Sequence, residues 1–220
     1  MQLLEAHELY RFFHIGDDET AALRGVSLAL DEGEIVALVG PSGSGKSTFI
    51  ACMTGLDEPD GGWVEVHGRR LTRRSEAERA RIRAQNFGIL LQTANLFQHL
   101  TVAQNVEFQL ALARRSSEPR VGALLESVGL SHRAGGYPVH LSGGETARAG
   151  LAVALAVDPA ILIADEPTAE VDATTEALLF ELFDQRRDEG RATLITTHST
   201  ALAERADRIV HLHDGRISSA

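Results

Sequence analysis

Short apolar runs, broken by glycine-rich or charged stretches, organise this chain. Ile35-Val36-Ala37-Leu38-Val39, Phe87-Gly88-Ile89-Leu90-Leu91, Ile161-Leu162-Ile163-Ala164 and Ala192-Thr193-Leu194-Ile195-Thr196-Thr197 are continuous rather than alternating. Such runs predict strands covered on both faces, as in a parallel sheet. Ile209-Val210-His211-Leu212 predicts a further strand, and Trp63-Val64-Glu65-Val66-His67 alternates up to Gly68. Helical patterns fall at 47–54, 76–84, 121–128, 145–156 and 174–187. Residues 3–38 mix strand-like runs with turns, Asp31-Glu32-Gly33-Glu34 among them, and 101–156 are mostly helical. Strands and helices thus alternate near both ends, around a helical block. That order predicts an α/β domain with a parallel sheet and a helical subdomain.

With 220 residues, 44% of them hydrophobic, the chain can bury one core. No apolar run approaches the ~20 residues that span a bilayer. Met1-Gln2-Leu3-Leu4-Glu5 lacks the basic start and apolar stretch of a signal peptide, so a cytoplasmic protein is expected. The single cysteine, Cys52, lies among Phe49, Ile50 and Met53 and reads as buried packing. The net charge of −10 argues against nucleic acid as a partner and against direct binding to anionic lipid. Membrane association would run through a protein. The basic stretch Arg69-Arg70-Leu71-Thr72-Arg73-Arg74 precedes Ser75-Glu76-Ala77-Glu78 and reads as a solvated loop.

Gly40-Pro41-Ser42-Gly43-Ser44-Gly45-Lys46-Ser47, followed by Thr48, is a complete Walker A pattern between a buried strand and a helix. Its glycines let the backbone wrap closely, so that N–H groups point at phosphate oxygens. The helix that follows presents the positive end of its dipole. Lys46 is expected to reach the β- and γ-phosphates of ATP, and the Ser47 hydroxyl to ligate Mg²⁺.

Ile161-Leu162-Ile163-Ala164-Asp165-Glu166 is a Walker B pattern. The strand delivers Asp165 to the carboxyl edge of the sheet, where open α/β folds bind ligands. Asp165 is expected to support Mg²⁺. Glu166, next along, points elsewhere and suits the base for the water that attacks the γ-phosphate.

Leu141-Ser142-Gly143-Gly144-Glu145 is a second glycine-rich loop opening a helix, read as another anion site with a serine hydroxyl and free N–H groups. Two phosphate loops with one lysine between them make sense if two chains pack head to tail. Each ATP would then lie between one chain's Lys46 loop and the other's Ser142 loop.

With these motifs in this order, the chain resembles the ABC transporter ATPase family over essentially its whole length. The resemblance implies a P-loop NTPase (RecA-like) core, an inserted helical signature subdomain at about 95–156 and an N-terminal antiparallel β subdomain, all within one domain, 1–220. It further implies that Phe13, or else Tyr10, stacks on adenine. Gln92 would be the Q-loop glutamine that touches Mg²⁺ and senses the membrane partner. Asp172, in Ala169-Glu170-Val171-Asp172, would be the D-loop aspartate at the dimer interface, and His198 the histidine on the γ-phosphate. Lys46, Glu166 and His198 form the expected catalytic set. No metal site is expected at His211 and His213.

Ala22-Leu23-Arg24-Gly25-Val26-Ser27-Leu28, Asn95-Leu96-Phe97-Gln98-His99-Leu100-Thr101-Val102 and Asp165-Glu166-Pro167-Thr168 are similar to the small ATPases of macrolide export, lipoprotein release and cell-division permeases. The chain departs from the family at Thr146-Ala147, Val153, Leu91 and Val171. None of these departures removes a phosphate contact. Partners implied are a second copy or a homologous ATPase, and integral membrane permease subunits on whose inner face the chain would sit. Leu96, Phe97, Leu100 and Val102 either meet that permease or pack in the core. Two functions stay open: driving export or extraction through the permease, and transmitting force to a membrane partner without moving cargo.

Overall fold

A computed structural model describes residues 1–15, 18–116, 120–169 and 171–218. In chain order the strands and helices are β1 (Gln2–Ile15), β2 (Asp18–Asp31), β3 (Ile35–Val39), α1 (Lys46–Met53), β4 (Gly61–Val66), β5 (Arg69–Arg70), α2 (Glu76–Asn86) and β6 (Phe87–Leu90). There follow α3 (Val102–Leu112), α4 (Arg120–Ser127), α5 (Gly143–Leu155), β7 (Ile161–Asp165), α6 (Ala173–Asp188), β8 (Ala192–Thr196), α7 (Thr200–Ala203), β9 (Arg208–His213) and β10 (Arg216–Ser218). One sheet is antiparallel, ordered β2-β1-β4-β5. The other runs β10-β9-β3-β8-β7-β6, parallel except for β10 at its edge.

The parallel strands divide their side chains between two cores, because successive residues face opposite sides. Val36 and Leu38 of β3, Ile161 and Ile163 of β7, and Ala192 and Leu194 of β8 face the first core. There they meet Phe49, Ile50, Cys52 and Met53 of α1 and the antiparallel sheet's Leu4, Leu9, Leu28 and Leu30. Ile35, Leu162, Ala164 and Ile195 face the second core, with Val102 and Val106 of α3, Ala149 and Leu151 of α5, and Phe183 of α6. Both faces are covered, which is why these strands read as unbroken apolar runs. The helical stretch α3–α5 lies between β6 and β7 in the chain and builds one side of the second core.

One expectation changes, and one open alternative divides residue by residue. The basic stretch is no solvated loop: Arg69 and Arg70 pair with β4, and Leu71 and Thr72 are buried. Leu71 fills the space beside Gly55, and the Arg70 guanidinium lies 4.8 Å from the Trp63 ring centroid. Of the four apolar residues after Gln92, Leu96 and Val102 belong to the second core and Leu100 is half-buried. Phe97 is exposed and meets Phe108 edge-on, ring centroids 5.1 Å apart.

Candidate active site

The carboxyl ends of β3, β7 and β8 lie side by side, so the loops leaving them converge. The loop after β3 is held close by its glycines. A Cβ on Gly40 would lie 2.1 Å from the Leu212 carbonyl oxygen. Gly45, the N-cap of α1, has φ 106°, a left-handed conformation open to glycine, and a Cβ there would lie 2.5 Å from the Ala22 oxygen. Lys46 is buried. Its Nζ donates to the carbonyls of Gly40 (2.8 Å) and Pro41 (3.1 Å) and lies 3.5 Å from His198 Nε2. Ser44 Oγ is buried without a hydrogen-bond partner among the described residues.

At the end of β7, Asp165 Oδ2 accepts from Ser47 Oγ at 3.4 Å and Oδ1 accepts from Thr196 Oγ1. Glu166 leaves the strand with φ 49°, a left-handed conformation uncommon for a residue with a Cβ. Its N–H donates to the carbonyl (3.0 Å) and hydroxyl (3.2 Å) of Thr196, which fixes the turn. The turn aims the carboxylate at the next strand's loop, where Oε2 accepts from the His198 N–H at 3.1 Å. Oε1 lies 3.1 Å from His198 Nε2, within ion-pair distance but outside hydrogen-bond geometry. Lys46, His198 and Glu166 therefore form one connected cluster.

That cluster opens into a cleft of about 610 Å³, lined also by Phe13, Ser42, Gly43, Gly45, Ser47, Thr48, Gln92 and Asp165. The Ser47 hydroxyl, Asp165 carboxylate and Gln92 amide are oxygen donors that suit a hard cation such as Mg²⁺. Three side-chain donors are fewer than a hard cation's roughly six ligands, which fits an ion that shares its shell with phosphate oxygens and water. Phe13 is half-exposed on the cleft, with the Arg11 guanidinium 4.9 Å from its ring centroid. Tyr10 is not on the cleft lining. It packs on Gly25 and Gly61, where a Cβ on Gly25 would lie 2.9 Å from its hydroxyl.

Ser142–Glu145 do not line this cleft. Ser142 caps α5 in a reciprocal box. Its Oγ accepts from the Glu145 N–H (3.2 Å), and its own N–H donates to Glu145 Oε2 (2.9 Å). The expectation of free N–H groups therefore fails at Ser142, because the chain's own carboxylate takes that donor. Glu145 also accepts from Arg133 Nε at 2.7 Å. The Ser142 N–H and the Arg133 guanidinium hold its carboxyl down to about 2. Asp172 caps α6, accepting from the Thr175 N–H at 2.7 Å, and that bond lowers its pKa. It stands so near the signature loop that a Cβ on Gly144 would lie 2.5 Å from Asp172 Oδ2. Glu170 of the same segment lies outside the described residues.

Sequence reasoning missed Thr196, which braces both Asp165 and the Glu166 N–H. The available signal was a polar residue ending an apolar strand beside the Walker B strand. It also missed Arg133, whose partner Glu145 lies 12 residues on.

The profile described as ABC transporter matches residues 23–169. The lipoprotein-releasing system ATP-binding protein LolD 2 of Caulobacter vibrioides is 40% identical over 219 residues, 98% of this chain and 96% of that protein. The macrolide export ATP-binding/permease protein MacB of Salmonella choleraesuis is 38% identical over 98% of this chain, which corresponds to 34% of that longer protein. Among solved structures, a dimeric ATP-binding cassette in a post-hydrolysis state, bound to ADP and Pi, superposes with a TM-score of 0.94 at 31% identity, covering 99% of this chain and 97% of that one.

Proposed function

The chain belongs to the ABC transporter family, and we propose that it is the subunit that binds and hydrolyses ATP to drive a membrane permease in export or extraction. Lys46 and the loop Gly40–Ser47 hold the β- and γ-phosphates, and Phe13 stacks on adenine. Mg²⁺, held by Ser47 and Asp165 with Gln92, would neutralise phosphate charge. Glu166 takes a proton from the attacking water as its oxygen bonds the γ-phosphorus and the bond to the ADP oxygen breaks. His198, beside both Glu166 and Lys46, donates to the γ-phosphate oxygens. Backbone and lysine donors aimed at that charge are the main source of catalysis in such sites.

One observation carries the dimer. A single cleft collects Lys46, Asp165, Glu166 and His198, while the Ser142 loop of the same chain lies outside it. A second copy packed head to tail supplies the missing loop, and loss of the γ-phosphate on hydrolysis lets the copies part. Phe97 and Phe108, exposed and packed edge-on against each other, offer the permease an apolar contact on the segment that follows Gln92. No described helix is long and apolar enough to cross a membrane. The chain would work on the cytoplasmic side, held there by the permease. Glu166→Gln keeps the side chain's size and its acceptor for the His198 N–H but removes the charge that takes the proton. Turnover should fall on the order of 10²–10⁴-fold, and the protein should accumulate as a dimer with Mg-ATP by size exclusion with light scattering. A variant that stays monomeric in saturating ATP, or that hydrolyses it like wild type, defeats this reading.

A further inference from the structure

Gln92 stands on an exposed loop, yet the proposed chemistry asks it to hold one position beside Ser47 and Asp165. The side chain of Asn95 supplies the constraint. Asn95 Oδ1 accepts from the Leu91 N–H at 2.8 Å, and Asn95 Nδ2 donates to the Leu91 carbonyl at 2.6 Å. One side-chain amide thus satisfies both backbone groups of the residue that follows β6, as a neighbouring strand would. Leu91 directly precedes Gln92, so the two bonds fix the chain at the point where Gln92 leaves the sheet.

The loop so closed is strained. Ala94 has φ 62°, a left-handed conformation that a Cβ disfavours. A strained turn persists when its surroundings over-determine it, and here the paired bonds at Leu91 do so. Asn95 is also backed by α5. A Cβ on Gly150 would lie 2.9 Å from the Asn95 Cβ and 3.2 Å from Leu90 Cδ1. The helix that opens at Ser142 therefore braces the side chain that closes the Gln92 loop. Asn95 does not line the 610 Å³ cleft. It lines a neighbouring one of about 350 Å³, which shares Gln92 and Glu166 with the first.

We propose that Asn95 is a positioning residue for hydrolysis: its amide staples the 91–95 loop and so sets where Gln92 stands at the mouth of the nucleotide cleft. This rests on the reading that Gln92 serves the bound nucleotide. Asn95 touches neither phosphate nor metal. Its effect on turnover passes through Gln92.

The test is a double-mutant cycle on steady-state ATPase with Gln92→Ala, Asn95→Ala and the pair. Asn95→Ala should lower kcat about ten-fold, since a misplaced group costs rate, with KM for ATP within about two-fold, because ground-state binding is kept. Added to Gln92→Ala, it should cost less than about two-fold more, as for two residues acting as a unit. A purely structural role predicts the same loss in both backgrounds, and that result, or an unchanged kcat, overturns the proposal. Asn95→Ser, polar but too short to bond both Leu91 groups, should repeat the Ala result if the Ala variant does not fold. The Glu166→Gln dimer assay separates the two ideas. If that parent fails to dimerise with Mg-ATP, the nucleotide-sandwich reading falls. If it dimerises and the cycle is additive, Asn95 alone falls.

Discussion

Replacing Lys46 by Met isolates one charge. Met keeps most of the buried apolar stem and removes the ammonium. In the free chain Nζ donates to Gly40 O at 2.8 Å and Pro41 O at 3.1 Å. To hold phosphates it exchanges those two bonds for bonds to charged acceptors. Two charge-assisted bonds contribute ~3–6 kcal/mol. The carbonyl bonds given up have an uncharged acceptor; taken as about half as strong, they leave a net of ~1.5–3 kcal/mol. That is a ~10- to 150-fold rise in Kd for Mg-ATP. Turnover should fall further, by ~10²–10³, because charge on the γ-phosphoryl oxygens grows in the transition state. The fold should survive, since Gly40 is only half-buried and Pro41 is exposed, so water can reach the released carbonyls. Isothermal titration with ATP in EDTA and with Mg²⁺, alongside phosphate-release kinetics, measures both effects. A folded Lys46→Met protein whose Kd lies within three-fold of wild type would refute the assignment of Lys46 to the phosphates.

Two further outcomes follow from the titrating groups. The Glu145 carboxyl is held down to about 2, so its contribution to α5 is fully present above the unfolded value of ~4.3 and is lost as pH falls towards about 2. Acid unfolding followed by circular dichroism should show a wild-type advantage over Glu145→Gln that is constant above about pH 5 and shrinks between those two values; an advantage that grows on acidification contradicts the capping box. Burial pushes the Cys52 thiol up to about 12, so a thiol reagent should leave the folded protein unlabelled at pH 8 and react once guanidinium unfolds it.

The strands that carry the site were legible because burial on both faces leaves an unbroken apolar run. Ile35–Val39 and Ile161–Asp165 are such strands. The phosphate loop was legible because glycine at 40 and 45 meets a spatial demand, the close approach of Leu212 and Ala22 carbonyls. The long β1–β2 pair was not. Its register shifts between Ala6 and Leu9, between Leu9 and Tyr10 and between Arg11 and Phe12, and each shift breaks the alternation that marks a strand. Resemblance alone prefers Phe13 to Tyr10; the physical reason Tyr10 is off the cleft, its seat on glycines 25 and 61, was not legible. Nor does sequence pattern tell whether an N-cap donor is free. At Ser142 a carboxylate three residues on and an arginine nine residues back decide it.

The same limit explains why the two loops proposed to serve hydrolysis were read by residue type and not by shape. Glu166 and Ala94 both hold left-handed φ, 49° and 62°, without being glycine. Such a conformation costs ~1–2 kcal/mol for a residue with a Cβ, and nothing in an amino-acid string announces it. Each is offset by paired bonds to one neighbour. The Glu166 N–H is shared by the carbonyl and hydroxyl of Thr196, and both backbone groups of Leu91 are taken by Asn95. Glycine at position 166 would remove the strain but also the carboxylate, and at 94 it would relax the loop and widen what Gln92 can sample. The geometry therefore trades local stability for fixed placement. It does so at Glu166 and beside Gln92, both on the lining of one cleft, where the proposed base and the proposed metal-facing amide would have to stand still while water reacts.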